Sequence, residues 1–136
     1  MKGRSILVTG SSSGIGKSIA KLLLKEGATV IGLSRNQQKF KPKNDRFQKY
    51  DCDIGDLSAL QKVFSRILTA HPKIDGFVSN AGFGDFRGFE NFSIDQIISY
   101  LNANLLSHLI MTRLLLPVMK RQKTGRIIYI GSEAAL

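Results

Sequence analysis

A glycine-rich turn between an apolar run and a helical segment constrains this chain more than any other feature. Ile6, Leu7 and Val8 form a short strand-like run, and the residues from 17 onward carry a helical apolar face. In such a turn, glycines allow a tight bend and close approach to a pyrophosphate, and the first amides of the next helix face its negative charge. The turn therefore predicts a nucleotide-cofactor site. Its residues are Thr9, Gly10, Ser11, Ser12, Ser13, Gly14, Ile15 and Gly16.

Length and composition indicate one globular domain. The chain has 136 residues, of which 43% are hydrophobic and 22% charged, as is usual for a soluble protein. No apolar stretch approaches the roughly 20 residues that a membrane span requires, so we expect a cytoplasmic protein without a membrane partner. The single Cys52 cannot form an internal disulfide, which agrees with a reducing compartment. We interpret it as a small buried side chain.

Half of the net charge of +10 lies after the predicted second strand, in residues 35–49. An acid at this strand end contacts the ribose 2′-hydroxyl of NAD, whereas an arginine accommodates the 2′-phosphate of NADP. The strand tip reads Gly32-Leu33-Ser34-Arg35, without an acid. The sequence therefore predicts NADP(H), with Arg35 as the main 2′-phosphate contact and Ser34 as a candidate hydrogen-bond donor. Three basic residues of the segment are interpreted instead as solvated loop residues: Lys39, Lys41 and Lys43.

Strand-like and helical segments alternate along the chain. This alternation predicts an α/β, Rossmann-like fold, in which a doubly wound parallel sheet forms the middle of a three-layer αβα domain over residues 1–136. The predicted strands after the first are 28–33, 46–50, 74–79 and 126–130, with a loop at 83–91. The later helices begin after Asp56 and Ser93. The last of them runs from about Ile94 to Lys120, and Pro117 should bend or terminate it.

Three motifs, in this order, resemble those of the short-chain dehydrogenase/reductase family. They are the T-G-x-x-x-G-x-G turn at 9–16, Asp53-Ile54-Gly55-Asp56 after the third strand, and Ser79-Asn80-Ala81-Gly82 after the fourth. The resemblance covers the whole chain and implies that Ile15 sits against the pyrophosphate. The family usually has Asn-Asn-Ala-Gly, so Ser79 is a departure from its pattern. The other cofactor residues that the resemblance implies are Asp53 and Ile54 at the adenine and Asn80, Ala81 and Gly82 beside the adenosine ribose.

The resemblance also implies a catalytic tetrad of Asn, Ser, Tyr and Lys. Asn104 matches the helix asparagine that organises a water near the lysine. Ser132 matches the serine that polarises the substrate carbonyl, where arriving hydride builds negative charge on oxygen. The Tyr-x-x-x-Lys pair does not occur in these residues, because Ile54, Asn104 and Glu133 stand four positions after the three tyrosines. We expect the pair beyond Leu136, in a longer enzyme whose C-terminal part is missing here.

These expectations converge on an NADP(H)-dependent oxidoreductase that transfers hydride between the nicotinamide and a small carbonyl or alcohol substrate. A catalytically inactive dinucleotide-binding module is one alternative. A nucleic-acid binder using residues 35–49 is another, because aromatic residues interleave with the basic ones there. Those aromatic residues are Phe40, Phe47 and Tyr50, although the strand periodicity around Phe47 favours core packing. The resemblance implies a homodimer or homotetramer through the long helix, and neither His71 nor His108 is assigned a metal or catalytic role.

Overall fold

The computed structural model describes residues 1–85 and 87–132, so Phe86 of the predicted loop and Glu133 lie outside the described residues. The strands are Ser5–Thr9 (β1), Thr29–Ser34 (β2), Phe47–Asp51 (β3), Gly76–Ser79 (β4) and Arg126–Tyr129 (β5). The helices are Gly14–Lys25 (α1), Leu57–Ala70 (α2), Ile94–Leu101 (α3) and Ser107–Gln122 (α4). A π-helical segment, Asn102–Leu106, joins α3 to α4, and short 3₁₀ turns cover Gln37–Lys39 and Phe89–Asn91.

All five strands are parallel and stand in the order β3-β2-β1-β4-β5. The chain winds outward from β1 through β2 to β3, and then in the opposite direction through β4 to β5. The predicted doubly wound sheet is therefore confirmed. The register sets Thr9 beside Leu33 and Ser79 beside Tyr129, which brings the carboxyl ends of the strands to one edge. The order reverses between β1 and β4, and folds of this kind bind ligands at that point.

The two faces of the sheet are covered by different helices. Successive strand residues point to opposite faces. Because helices cover both faces, β1 and β2 are continuous apolar runs. Leu7 and Ile31 pack into a cluster with residues of α2 and α4, whereas Ile6, Val8 and Val30 pack into a second cluster with residues of α1. The central strands are therefore buried on both sides, in the predicted three-layer arrangement.

The predicted helix ends are confirmed at three positions. Gly27, with a φ of +83°, takes the left-handed conformation just past α1. The Asp56 carboxylate accepts a hydrogen bond from the Ala59 amide at 2.9 Å and caps α2. Ser93 and Gln96 exchange the two hydrogen bonds of a capping box at the start of α3. At each of these positions, a residue with the expected local chemistry begins or ends a helix.

The single long helix predicted from about Ile94 to Lys120 is interrupted. The π-helical turn shifts the helical register by inserting one residue, which apolar periodicity alone does not reveal. Pro117 does not terminate α4, which continues to Gln122. Pro117 and Arg113 are both exposed, so the carbonyl that a proline leaves without its donor lies on the solvent side. In the described part of the chain, none of the helices combines the length and apolar character that a bilayer crossing demands.

The aromatic residues of the basic segment face the protein. Phe40 is buried and stacks edge-on with Phe47 at a centroid distance of 5.2 Å. Tyr50 packs against the core, and its hydroxyl hydrogen-bonds to Nε2 of His71 at 3.0 Å. Core packing, which the periodicity around Phe47 favours, therefore accounts for the three rings. The alternation of aromatic and basic residues, which suggested nucleic-acid binding, thus has a structural cause.

Candidate cofactor-binding site

A cleft of about 680 Å³ opens at the carboxyl edge of the sheet, where the strand order reverses. Four parts of the chain form most of it, namely the glycine turn and the segments after β2, β3 and β4, and Ala103 of the π-helical segment completes it. Eleven of the predicted cofactor residues line it, namely Gly10, Ser12, Ser13, Gly14, Ile15, Ser34, Arg35, Ile54, Asn80, Ala81 and Gly82. The structure thus brings together residues that are far apart in sequence.

Two glycines of the turn are required by close packing. A Cβ atom on Gly10 would come within 2.7 Å of Asn80 Nδ2 and 3.1 Å of Ala81 Cα, and the φ of Gly10 is +68°. A Cβ on Gly16 would meet the carbonyl group of Gly10 and would lie 2.5 Å from the same Nδ2. The turn and the segment after β4 therefore touch backbone to backbone, which leaves the cleft above them open.

Thr9 joins the two walls of the cleft from beneath. Its hydroxyl oxygen accepts hydrogen bonds from the amides of Asn80 at 2.9 Å and Ala81 at 3.0 Å. The side chain of Asn80 donates in return to the Thr9 carbonyl at 3.1 Å. Thr9 is fully buried and, like Ser11, Gly16 and Asp53, is not among the residues that line the cleft. These four predicted cofactor residues support the site in this structure.

The segment after β2 gives the cleft its basic side. Arg35, Asn36 and Lys39 line it. Lys39 is exposed, as its interpretation as a solvated residue predicts, and the 3₁₀ turn at Gln37–Lys39 also brings it to the cleft. Ser34 is buried and donates its hydroxyl proton to Gln37 Oε1 at 2.8 Å, so that proton is not directed at a ligand.

The segment after β3 closes the opposite end. Ile54 lines the cleft, whereas the carboxylate of Asp53 accepts a hydrogen bond from the Gly55 amide at 2.9 Å. Cys52 also lines the cleft and is 7% exposed. Burial, helped by the charges of Asp53 and Asp56, raises the pKa of the Cys52 thiol to about 11. The thiol is therefore protonated at neutral pH, and the interpretation of Cys52 as a buried side chain is confirmed.

Asn104 lies in the π-helical segment and clamps the loop that follows β4. Its Oδ1 accepts from the Phe83 amide at 3.0 Å, and its Nδ2 donates to the Phe83 carbonyl at 3.0 Å and to the Tyr100 carbonyl at 3.1 Å. A Cβ on Gly82 would lie 2.6 Å from Asn104 Oδ1. The π turn directs the Asn104 side chain at the loop. The same side chain donates to the Tyr100 carbonyl, which lies where a π turn interrupts the regular helical hydrogen bonds. The structure therefore gives Asn104 a clear role in shaping the site.

His108, on α4, binds the strand end next to that loop. Its Nδ1 pairs with the hydroxyl of Ser79, the residue that departs from the family's usual asparagine. Burial lowers the pKa of His108, although a hydrogen bond that the imidazole donates to the Ala81 backbone partly opposes the shift. A neutral imidazole can accept the Ser79 proton at Nδ1, which ties α4 to β4. Ser132 is exposed after β5, on the same edge of the sheet.

Sequence reasoning did not predict several residues of the site. Asn36, Lys39, Phe83 and Ala103 line the cleft, and Gln37 is buried beside it. Lys39 could have been found from its place in the basic segment. The others depend on a short 3₁₀ turn and a π turn, whose positions follow from tertiary contacts.

A doubly wound parallel sheet with a glycine cradle at its switch point defines the class of Rossmann-type dinucleotide-binding domains. Residues 4–136 match the family model described as short chain dehydrogenase. The chain belongs to the short-chain dehydrogenase family, a family of oxidoreductases, as its motifs predicted.

Comparisons with individual proteins agree with this assignment. The chain is 35% identical to the ketoacyl reductase HetN of Nostoc, over 98% of this chain and 49% of the relative. It is also 35% identical to the uncharacterized oxidoreductase YvaG of Bacillus subtilis, over its full length and 53% of the relative. The chain thus spans about half the length of the curated relatives it matches.

Solved structures resemble the fold closely. A metagenomic short-chain oxidoreductase in complex with NADP has a TM-score of 0.91 and 29% identity, over 99% of this chain and 64% of that structure. A 3-ketoacyl-(acyl-carrier-protein) reductase of Brucella melitensis complexed with NADH has a TM-score of 0.87 and 25% identity, over 98% of this chain and 59% of that structure. These complexes support a nicotinamide dinucleotide as the cofactor.

Proposed function

We propose that the protein is an NADP(H)-dependent oxidoreductase that moves hydride between the nicotinamide and a carbonyl or secondary alcohol of a small molecule. The basic side of the cleft carries this proposal, because Arg35 and Lys39 line it and the strand tip at 32–35 has no acid. An arginine at this position suits a ribose 2′-phosphate, whereas NAD-binding folds place a carboxylate there.

The cleft fits such a cofactor. Gly10 and Gly16 let the glycine turn pack closely against the segment after β4, and the Ser13 side chain makes no capping bond to α1 within the described residues. The first amides of α1 are thus available to a pyrophosphate, which the helix dipole also favours. In the proposed arrangement, Arg35 holds the 2′-phosphate and Ile54 the adenine. The bound cofactor supplies or receives the hydride, and the protein positions it.

Ser132 is the proposed polarising hydroxyl, since a donor directed at the carbonyl oxygen stabilises the charge that hydride transfer creates there. Asn104 supports the loop at Phe83 that borders the cleft, in addition to any water that it holds. The Tyr-x-x-x-Lys pair does not occur in residues 1–136, and a general acid of that kind contributes about 10²- to 10⁴-fold in rate. Turnover is therefore proposed for a protein that also carries this pair.

The cofactor assignment is tested by reversing the charge at Arg35. In Arg35→Asp we expect the Kd for NADPH to rise at least about tenfold, because a charged hydrogen bond is lost and a repulsive charge is added. The Kd for NADH should be unchanged or lower. Fluorescence titration measures both. Equal losses for the two cofactors would refute the 2′-phosphate site at Arg35.

A matched control separates local contact from overall charge. Lys43→Asp makes the same charge reversal on an exposed residue of the same segment that is not among those lining the cleft. It should change the two dissociation constants much less than Arg35→Asp.

Steady consumption of NADPH with a ketone or aldehyde would exclude the inactive-module alternative.

We further propose that two copies of the chain pair along α3 and α4. A series of large apolar residues is exposed there at helical spacing, where solvent contact is unfavourable. These residues are Ile94, Ile98, Leu101, Leu105, Leu109 and Leu116.

A further inference from the structure

Gln37 is a fully buried glutamine that joins separate parts of the proposed cofactor site. Its Oε1 accepts hydrogen bonds from Ser11 Oγ at 2.7 Å and from Ser34 Oγ at 2.8 Å. Its Nε2 donates to the carbonyl of Phe40 at 3.2 Å, and its backbone amide donates to Asp51 Oδ1 at 2.7 Å. One residue therefore connects the glycine turn and the ends of β2 and β3.

The direction of each hydrogen bond follows from chemistry. The Phe40 carbonyl can only accept, so the amide nitrogen of Gln37 faces it and the amide oxygen faces the two serines. A serine hydroxyl has one proton, and both serines donate theirs to Gln37. The positive contacts of a 2′-phosphate would therefore come from Arg35 and Lys39, on either side of this glutamine.

The network fixes the backbone from which these cations extend. Arg35 and Lys39 are exposed, flexible side chains on a short segment. A segment that is held in place before binding loses less conformational entropy when it binds a ligand. Glutamine makes this connection without charge, whereas a glutamate would put a carboxylate among the groups that attract the phosphate.

We propose that Gln37 is a positioning residue that sets the preference for a 2′-phosphorylated dinucleotide. By holding the segment 34–40 against the glycine turn, it keeps Arg35 and Lys39 at the cleft. The inference rests on the proposed NADP(H) function and adds to it the residue that maintains the specificity of the site.

The test replaces the amide while keeping the size of the side chain. Gln37→Met retains length and apolar bulk but loses both side-chain hydrogen-bond functions. We expect the Kd for NADPH to rise about tenfold, while the Kd for NADH changes less than about twofold, so that the preference ratio falls. Gln38→Met makes the same exchange on the exposed neighbouring residue and should leave both constants unchanged.

Arg35→Ala separates the inference from the function on which it rests. If this variant leaves the preference for NADPH unchanged, the proposed 2′-phosphate site is wrong, and the inference fails with it. If Arg35→Ala lowers the preference but Gln37→Met weakens both cofactors equally, Gln37 serves packing alone and only the inference is wrong. In the double variant the two effects on the ratio should be less than additive, since both act through the same contact. Full additivity would also overturn the inference.

A second variant keeps the test valid if Gln37→Met does not fold, as judged by thermal unfolding. Ser34→Ala removes one hydrogen bond on the basic side of the network and leaves the bond to Ser11 in place. It should lower the preference ratio in the same direction, by a smaller factor. An unchanged ratio in a folded Ser34→Ala protein would contradict the proposal.

Discussion

The two sides of the switch point differ in how far their apolar side chains are buried and their strand ends hydrogen-bonded. Around β1 and β2, the strands are buried on both faces, and Thr9 and Gln37 connect the strand ends by hydrogen bonds. Around α3, α4 and β5, large apolar side chains are exposed, and β5 lies at one edge of the described sheet, with Ile128 half exposed. The first side forms a hydrogen-bonded surface for the proposed cofactor, whereas the second presents an apolar surface suited to association with another protein surface. Cofactor binding and association should therefore respond to different substitutions.

The largest effect is expected on the exposed side. Leu105 lies in the π-helical segment between α3 and α4, in the middle of the exposed apolar series. In a paired helix surface, Leu105→Glu buries an unpaired carboxylate, so self-association should weaken about 1000-fold, with little change in NADPH binding. Sedimentation equilibrium measures the association constant. Gln61→Glu adds the same charge on the exposed side of α2 and should not change it. A wild-type protein that is monomeric at every concentration would contradict the pairing.

The next effect is expected in the glycine cradle. Gly16→Ala places a Cβ against Gly10 and Asn80, which must move apart to admit it. We expect the affinities for NADPH and NADH to fall together, by about 100-fold, because overpacking distorts the shared pyrophosphate site. Isothermal titration calorimetry provides both values. Gly131→Ala is the control, since a Cβ there meets nothing within 4 Å and no positive φ strains it. Unchanged affinity in Gly16→Ala would show that the cradle tolerates a wider separation.

A smaller effect should follow removal of the loop clamp. Asn104→Ala loses the hydrogen bonds to both backbone groups of Phe83, so we expect the free energy of unfolding to fall by about 2 kcal/mol. Urea denaturation measures this loss, and hydrogen exchange should be faster at the Phe83 amide. Asn102→Ala, in the same π-helical segment, should cost much less. Equal losses of unfolding free energy in the two variants would show that Asn104 does not stabilise the loop at Phe83 specifically.

The smallest effect concerns acid. Burial lowers the pKa of His108 below its ordinary value of 6.5, so the unfolded chain binds more protons than the folded one as pH falls through this range. The stability that this group contributes is thus present above pH 6.5 and is lost at lower pH. Unfolding free energies between pH 7 and 5 should decrease less steeply in His108→Leu than in the wild type.

His71 provides the comparison for this measurement, because burial lowers its pKa as well. His71→Leu should remove a separate part of the acid sensitivity and leave the part due to His108. If His108→Leu shows the same pH dependence as the wild type, folding does not lower the pKa of His108 and the prediction is wrong.

Local chemistry made much of this molecule predictable from sequence. The strand at Ile6 to Val8, the glycine turn and the Asp56 cap each rest on neighbouring residues, and the structure has all three. The π turn at 102–106 was not predictable, since its extra residue leaves the apolar pattern nearly unchanged. The burial of Gln37 was not predictable either, because two of its partners, Ser11 and Asp51, are distant in sequence.

The pairing of β1 with β4 has a consequence for how the molecule reaches its folded state. Ile6 lies beside Gly76, which is 70 positions further along the chain, whereas β1 and β2 are joined through a single short helix. Closing so long a loop costs entropy before any contact repays it, so we expect β4 to join the sheet late in folding. Because the cleft lies between β1 and β4, the ability to bind a dinucleotide should appear only in the last kinetic step, after most helical structure has formed.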